Sequence, residues 1–276
     1  MDMSKYKLIA FDMDGTLLDS NHQITQDSLD AIDAAVNAGK TVILSTGRSL
    51  SELKDYRQML KHVRYFICES GALLVDTNTD QIIYSEQIEP SAVRKIIDTA
   101  SPEKAMIYIA SNGQNLATRS YVMRMADFCI EQYQDIFLQT GTLLDDVVAS
   151  YTKKHFPVEK LNLFSATPGL REYFVQALSH LPLEMARAED TSLELSPKNV
   201  SKGSGLLKLC QYLSIPVEHT IAVGDSDNDM EILKTAGLSV AMGNARPHIK
   251  ELSDVIVADN NHGGCAEAIY KYLLNE

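Results

Sequence analysis

A short apolar run, Leu8 to Phe11, ends abruptly in Asp12-Met13-Asp14-Gly15-Thr16, and this junction constrains the fold more than any other stretch. Four consecutive apolar residues bounded by a turn read as a parallel strand buried on both faces. Two carboxylates two residues apart, just past the carboxyl end of such a strand, stand where open α/β sheets bind ligands. Gly15 and Thr16 then supply a tight turn whose backbone N–H groups suit an oxyanion. A DxDG turn can also merely end a strand, so its meaning depends on the partners that the rest of the chain provides.

The neighbouring segments repeat the same style. A helix begins at Thr25 or Gln26, carries Leu29, Ile32, Ala35 and Val36 on one face, and stops at Gly39. Thr41 to Leu44 reads as a second buried strand and ends in Ser45-Thr46-Gly47-Arg48. A helix from Ser49 to about Leu60 and a strand from Tyr65 to Cys68 follow. Alternating strands and helices with short connections predict a parallel sheet with right-handed crossovers.

From Tyr84 to Glu189 the texture changes to α+β. Strands are expected at Ala105–Ala110 and Leu116–Thr118 around the turn signal Asn112-Gly113, with further strands at 161–165 and 183–187. Helices are expected at 121–134, 145–151 and 169–181. The opening style resumes near Leu193. Ser201-Lys202-Gly203 opens a helix, and the strand Thr220–Val223 ends in Gly224-Asp225-Ser226-Asp227-Asn228-Asp229. Short strands at 238–242 and 255–257 and a final helix at 264–274 complete the pattern. The expected organisation is a Rossmann-like, doubly wound α/β core built from residues 1–83 and 190–276, with residues 84–189 as an inserted α+β domain.

If the strands are parallel and adjacent, Asp12, Asp14, Thr46, Lys202, Asp225 and Asp229 meet at one edge of the sheet. Converging carboxylates need a cation, and an all-oxygen set favours Mg²⁺ over zinc, which prefers His or Cys. A lysine among them can hold a phosphate as a point charge. The seven histidines form no ligand spacing. GDSDND lacks the regular spacing and the distant Glu of an EF-hand calcium loop. The formal net charge of −12, with no basic block, argues against nucleic acid and acidic membrane surfaces as partners. No apolar stretch is long enough to span a bilayer, and the charged N-terminus runs straight into the first strand. Cys68, Cys129, Cys210 and Cys265 are widely spaced, a pattern that suits reduced thiols in the cytoplasm.

DMDGT at 12–16, STGR at 45–48, SKGSGL at 201–206 and GDSDNDMEIL at 224–233 resemble the four motifs of the haloacid dehalogenase superfamily, and the insertion resembles the type-two (C2B) cap of its Cof-type phosphatases. Ser70 and Asn199 depart from that pattern, standing where Asn and Gly are frequent. The resemblance implies a Mg²⁺-dependent phosphatase of small phosphorylated metabolites, sugar phosphates first among them, working through an aspartyl-phosphate. It makes Asp12 the nucleophile and Asp14 the general acid and base. Thr46, Gly47, Lys202, Asn228 and the backbone around Met13 and Gly15 would bind the phosphoryl group. Asp12, Asp225 and the Asp14 backbone carbonyl would bind the metal, with Asp229 behind them. Arg119, Arg124 and Arg187 are cap cations that read as solvated surface. The expected assembly is a monomer or homodimer. Rival readings are a phosphomutase of the same superfamily and a non-catalytic module that binds phosphoryl ligands. A dehalogenase has no need of Asp14, and a glycosyltransferase D-x-D predicts neither Lys202 nor GDSDND.

Overall fold

A computed structural model describes residues 5–101, 103 and 105–275. Within them the chain separates into two compact units, one of residues 5–48, 55–84 and 201–275, the other of residues 49–54 and the described residues of 85–200.

The first unit is a mixed α/β layer structure. Its sheet has the strand order Val255–Ile256, Leu238–Ala241, Thr220–Gly224, Leu8–Phe11, Thr41–Ser45, Tyr65–Cys68, Leu73–Asp76 and Gln81–Ser85. The first six are parallel, and Leu73–Asp76 turns back antiparallel on Tyr65–Cys68. Leu8–Phe11 lies at the centre with every residue buried, as a run apolar on both faces must be. The helix Gln26–Asn37 starts where its cap dictates: the Thr25 hydroxyl accepts the Ser28 N–H. Gly39, at φ +76°, follows its end. Strands Leu73–Asp76 and Gln81–Ser85 lie beyond the expected elements. They form where Leu-Leu-Val and Ile-Ile-Tyr flank the polar turn 77–80, with Asp80 at φ +56°.

The second unit holds a six-stranded sheet in the order Leu183–Arg187, Ser192–Pro197, Lys160–Phe164, Met106–Ser111, Gln114–Thr118 and Thr142–Leu144. Period-two alternation decides its faces. Ile107, Ile109, Leu161, Leu163, Leu193 and Leu195 pack with the helices Pro90–Ala100 and Pro168–Leu178, while Met106, Tyr108 and Ala110 join Phe128 and Phe137. Two expectations change here. The segment assigned to the core from residue 190 includes Ser192–Pro197, which pairs antiparallel with both Lys160–Phe164 and Leu183–Arg187 and belongs to this sheet. The single helix expected at 121–134 is a series of short turns, because Arg124 and Ile130 leave helical backbone values and Cys129 sits at φ +56°. Val122, Met125 and Phe128, all buried, are spaced by three, which fits three-residue turns rather than one α-helix.

No helix among the described residues is long and apolar enough to cross a membrane. The four cysteines are free thiols; Cys68, Cys210 and Cys265 are buried, and Cys129 is exposed.

Candidate active site

Register alone brings the first group of side chains together. Phe11 lies level with Leu44 on one side and Val223 on the other, so Asp12, Thr46 and Asp225 emerge at the same sheet edge. The Asp12 N–H donates to Val223 O at 3.0 Å, and the Thr46 N–H to Ile67 O at 2.8 Å. Lys202 arrives from elsewhere in the chain as the first residue of the helix Lys202–Leu213, whose Ser201 cap accepts the Ser204 N–H. That helix start is seated against Gly71 at φ +107°, where an added Cβ would lie 2.0 Å from Ser201 O. Only glycine permits both the backbone angle and the approach. Ser70 and Asn199 also hold left-handed backbone, at φ +57° and +64°.

At the centre is a buried charge cluster. The Lys202 ammonium, 1% exposed, donates to Asp12 and to Asp229 Oδ1, the latter at 2.7 Å. The second oxygen of Asp229 accepts the backbone N–H groups of Asp225 at 2.9 Å and Ser226 at 3.1 Å. Asp229 therefore fixes both the lysine and the loop that carries Asp225. Asp225 accepts the Thr16 hydroxyl at 2.9 Å. One oxygen each from Asp12, Asp225 and Asp229 lies within 4.8 Å of the others.

Three carboxylates, Asp12 and Asp229 buried and Asp225 partly exposed, against one ammonium leave a formal charge of −2. The electrostatics register this excess. Burial, reinforced by Asp229 and only partly offset by Lys202, pushes the Asp12 carboxyl up to about 8. Burial likewise pushes Asp225 up to about 6 against the pull of the Thr16 hydrogen bond. Burial alone would lower the Lys202 ammonium, but the Asp12 and Asp229 carboxylates outweigh it and hold the lysine above its ordinary range. A divalent cation fits this donor set, since every donor is a hard oxygen and the charge to be neutralised is −2.

Asp14 stands apart from the cluster by its side chain. It lies on the turn Met13–Leu17, which is closed by i+5 bonds from Leu17 N to Asp12 O and from Leu18 N to Met13 O, with Gly15 at φ +85°. Its carboxylate, about half exposed, forms a two-pronged ion pair with Arg48, at 2.8 Å from Nε and 2.5 Å from Nη2. The Ser-Thr-Gly-Arg motif by itself gives Arg48 no role; its place just past a strand end, like that of Thr46, is the signal that it belongs to the site. Its guanidinium stacks over the Tyr56 ring, 5.6 Å from the centroid. Thr46 is buried, and its hydroxyl oxygen accepts the Arg48 N–H.

The remaining expected residues divide. Met13 is fully buried beneath the turn, and Gly15 and Gly47 are partly exposed at the edge. Asn228 is exposed, and its side-chain oxygen accepts the Ser226 hydroxyl at 2.8 Å. Asp227 is exposed and paired with Arg246 and His248. In the second unit Arg124 is paired with Asp127, and Arg187 makes a two-pronged pair with Glu172.

The family model of the haloacid dehalogenase-like hydrolases matches residues 9–269. Phosphatase YwpJ of Bacillus subtilis is 30% identical over 286 residues, covering 97% of this chain and 100% of that protein. The 5-amino-6-(5-phospho-D-ribitylamino)uracil phosphatase YcsE of the same organism is 28% identical, covering 97% and 96%. A solved haloacid dehalogenase-like hydrolase from B. subtilis superposes with a TM-score of 0.81 at 27% identity, covering 95% of this chain and 98% of that one. With four motifs at one sheet edge and a match over nearly its whole length, the chain belongs to the haloacid dehalogenase-like hydrolase family, among its Cof-type phosphatases.

Proposed function

We propose that this protein is a Mg²⁺-dependent phosphatase of small phosphorylated metabolites, sugar phosphates among them, and that it works through an aspartyl-phosphate on Asp12. The observation that carries the reading is the buried cluster of Asp12, Lys202, Asp225 and Asp229, with its excess of two negative charges at the carboxyl edge of a parallel sheet. The named substrate of YcsE, a phosphorylated ribityl compound, is of the proposed class.

Asp12 attacks phosphorus, forming one O–P bond as the bond to the leaving oxygen breaks. Asp14 gives its proton to that oxygen, then takes one from the water that cleaves the acyl phosphate. Lys202, Thr46 and the backbone amides of residues 13–15 hold the phosphoryl oxygens, and Gly47 and Asn228 complete that edge. Asp229 keeps Lys202 in place, and Arg48 orients Asp14. Asp12, Asp225 and the Asp14 backbone carbonyl would hold Mg²⁺, which supplies charge neutralisation for cluster and phosphoryl group alike. We assign the second unit, residues 49–54 and 85–200, as a C2B-type cap that selects the substrate.

The test is a panel of phosphate monoesters with free-phosphate detection, run with Mg²⁺, with excess chelator and with Ca²⁺. Turnover is expected only in Mg²⁺, because Ca²⁺ prefers higher coordination. Rapid-quench kinetics on 4-nitrophenyl phosphate then separate the aspartates. Asp14→Asn should give a burst near one nitrophenolate per site followed by very slow turnover, and Asp12→Asn no burst. Full turnover after metal stripping, or a burst from Asp12→Asn, overturns the assignment.

A further inference from the structure

The turn that carries Asp14 is held from outside by side chains that lie more than 200 residues away in sequence. The i+5 bonds use the Asp12 and Met13 carbonyls, and the Gly15, Thr16 and Leu18 carbonyls accept from side chains instead. Asn244 Nδ2 donates to Gly15 O at 2.7 Å. Cys265 Sγ donates to Thr16 O at 3.3 Å. Asn260 Nδ2 donates to Leu18 O at 2.8 Å. Two residues on, Asn261 takes the Ser20 N–H at 3.0 Å and donates to the Ser20 hydroxyl.

These donors stand on rigid ground. The Asn244 side-chain oxygen accepts the Asn260 N–H at 3.2 Å, which fixes which end of the amide faces Gly15. Around Asn244, the Met242 N–H donates to Gly224 O and the Gly243 N–H to Ala258 O. Asp259 accepts the Asn261 N–H on its carboxylate and the Gly264 N–H on its carbonyl, closing the 259–264 turn. Asn244 is exposed, so water could satisfy Gly15 O in its place. The protein bond therefore adds little stability. What it adds is position: Gly15 directly follows Asp14, so anchoring its carbonyl limits how far the turn beneath Asp14 can shift, while Arg48 holds the carboxylate itself.

We propose that Asn244, backed by Asn260, is a positioning residue for the proton transfer by Asp14, and that the C-terminal segment thereby controls the acid of the N-terminal motif. The proposal rests on the acid–base reading of Asp14. A misplacement of about 1 Å can cost on the order of 10²-fold in rate, and a general acid supplies about 10²–10⁴-fold. Loosening the anchor should therefore cost about 10- to 100-fold where the leaving group needs a proton, and little where it does not.

The experiment compares kcat/KM, which reports the steps through phosphoryl transfer to Asp12, on phenyl phosphate and on 2,4-dinitrophenyl phosphate. Asn244→Asp keeps the shape and still accepts the Asn260 N–H, but turns an oxygen toward Gly15 O. It should lose about 10- to 100-fold on the phenyl ester and stay near wild type on the dinitrophenyl ester. Asn260→Ala, which frees Leu18 O, should shift the ratio in the same direction by less. A parallel Asp14→Asn measurement separates the two ideas. If Asp14→Asn loses equally on both esters, the acid reading of Asp14 fails. If Asp14→Asn discriminates but Asn244→Asp loses equally on both or on neither, the anchor fails.

Discussion

Replacing Lys202 by Met tests whether the buried cluster is held by charge. Methionine fills nearly the same slot without the ammonium, so the packing of a side chain only 1% exposed is retained. Two effects compete. The variant no longer buries a cation, which favours folding, but it leaves Asp12, Asp225 and Asp229 with a formal charge of −3 in place of −2. Breaking a buried pair by removing one partner costs about 3–5 kcal/mol, and here two partners are stranded. The cost has a ceiling, because Asp12, already held up to about 8, can take a proton. Asp229 keeps two backbone donors on its other oxygen. The lower end, about 3 kcal/mol, is therefore expected at pH 7.5, or about 6–12 °C in Tm for a chain of this size. The pH dependence has a definite sign. Carboxylates raised in the folded state contribute stability below their unfolded pKa of about 4 and lose it as pH rises. Wild-type Lys202 keeps its proton throughout this window, being held above the ordinary lysine range. The deficit of the variant should thus widen from pH 5 to pH 8. Calorimetry in chelator, at several pH values, measures it. A Tm within about 2 °C of wild type at pH 7.5, or a deficit that grows as pH falls, would refute the charge argument.

The central part of the fold was legible because its signals are local and redundant. Leu8–Phe11, Thr41–Leu44 and Thr220–Val223 are apolar runs cut off by turn residues, and a parallel sheet leaves such strands little choice of place. The joining of Asp12, Lys202, Asp225 and Asp229 followed from strand ends and a helix start, which register fixes to within a residue. Where signals were weak, the reading stopped short. Ser192–Pro197 has the same buried alternation as a core strand, and only its pairing with Lys160–Phe164 shows which sheet owns it. The 121–134 segment has apolar residues dense enough for a helix, but the left-handed Cys129 backbone is not written in its composition. Arg48 and Asn244 were missed for a different reason: Arg48 stands past a strand end as Thr46 does, but what it and the exposed Asn244 hold shows only when their partners are seen across the fold.

Two further outcomes follow from the geometry. Glu159 is fully buried, accepting the Ser85 hydroxyl at 2.7 Å and the Asn112 N–H at 2.9 Å, and burial holds its carboxyl above the ordinary range despite both bonds. Its contribution is present below the unfolded pKa of about 4.3 and lost as pH rises, so Glu159→Gln should raise Tm at pH 8 and flatten its fall between pH 5 and 8; an unchanged slope removes Glu159 as the cause. The last outcome concerns Gly71, whose added Cβ would lie 2.0 Å from Ser201 O, far inside the 3.0 Å that real Cβ atoms respect. Neither neighbour is a flexible tip, because Ser201 caps the helix that starts at Lys202 and is itself held by Ser204. Gly71→Ala must therefore push the helix start, and Lys202 with it, by roughly 1 Å, enough to cost on the order of 10²-fold in kcat. Gly39→Ala is the control: it meets the same kind of left-handed backbone, at φ +76°, but nothing lies within 4 Å. It should cost about 1–2 kcal/mol of stability and no activity. Equal losses of kcat in the two variants would mean that backbone strain, and not the seat of Lys202, governs the effect.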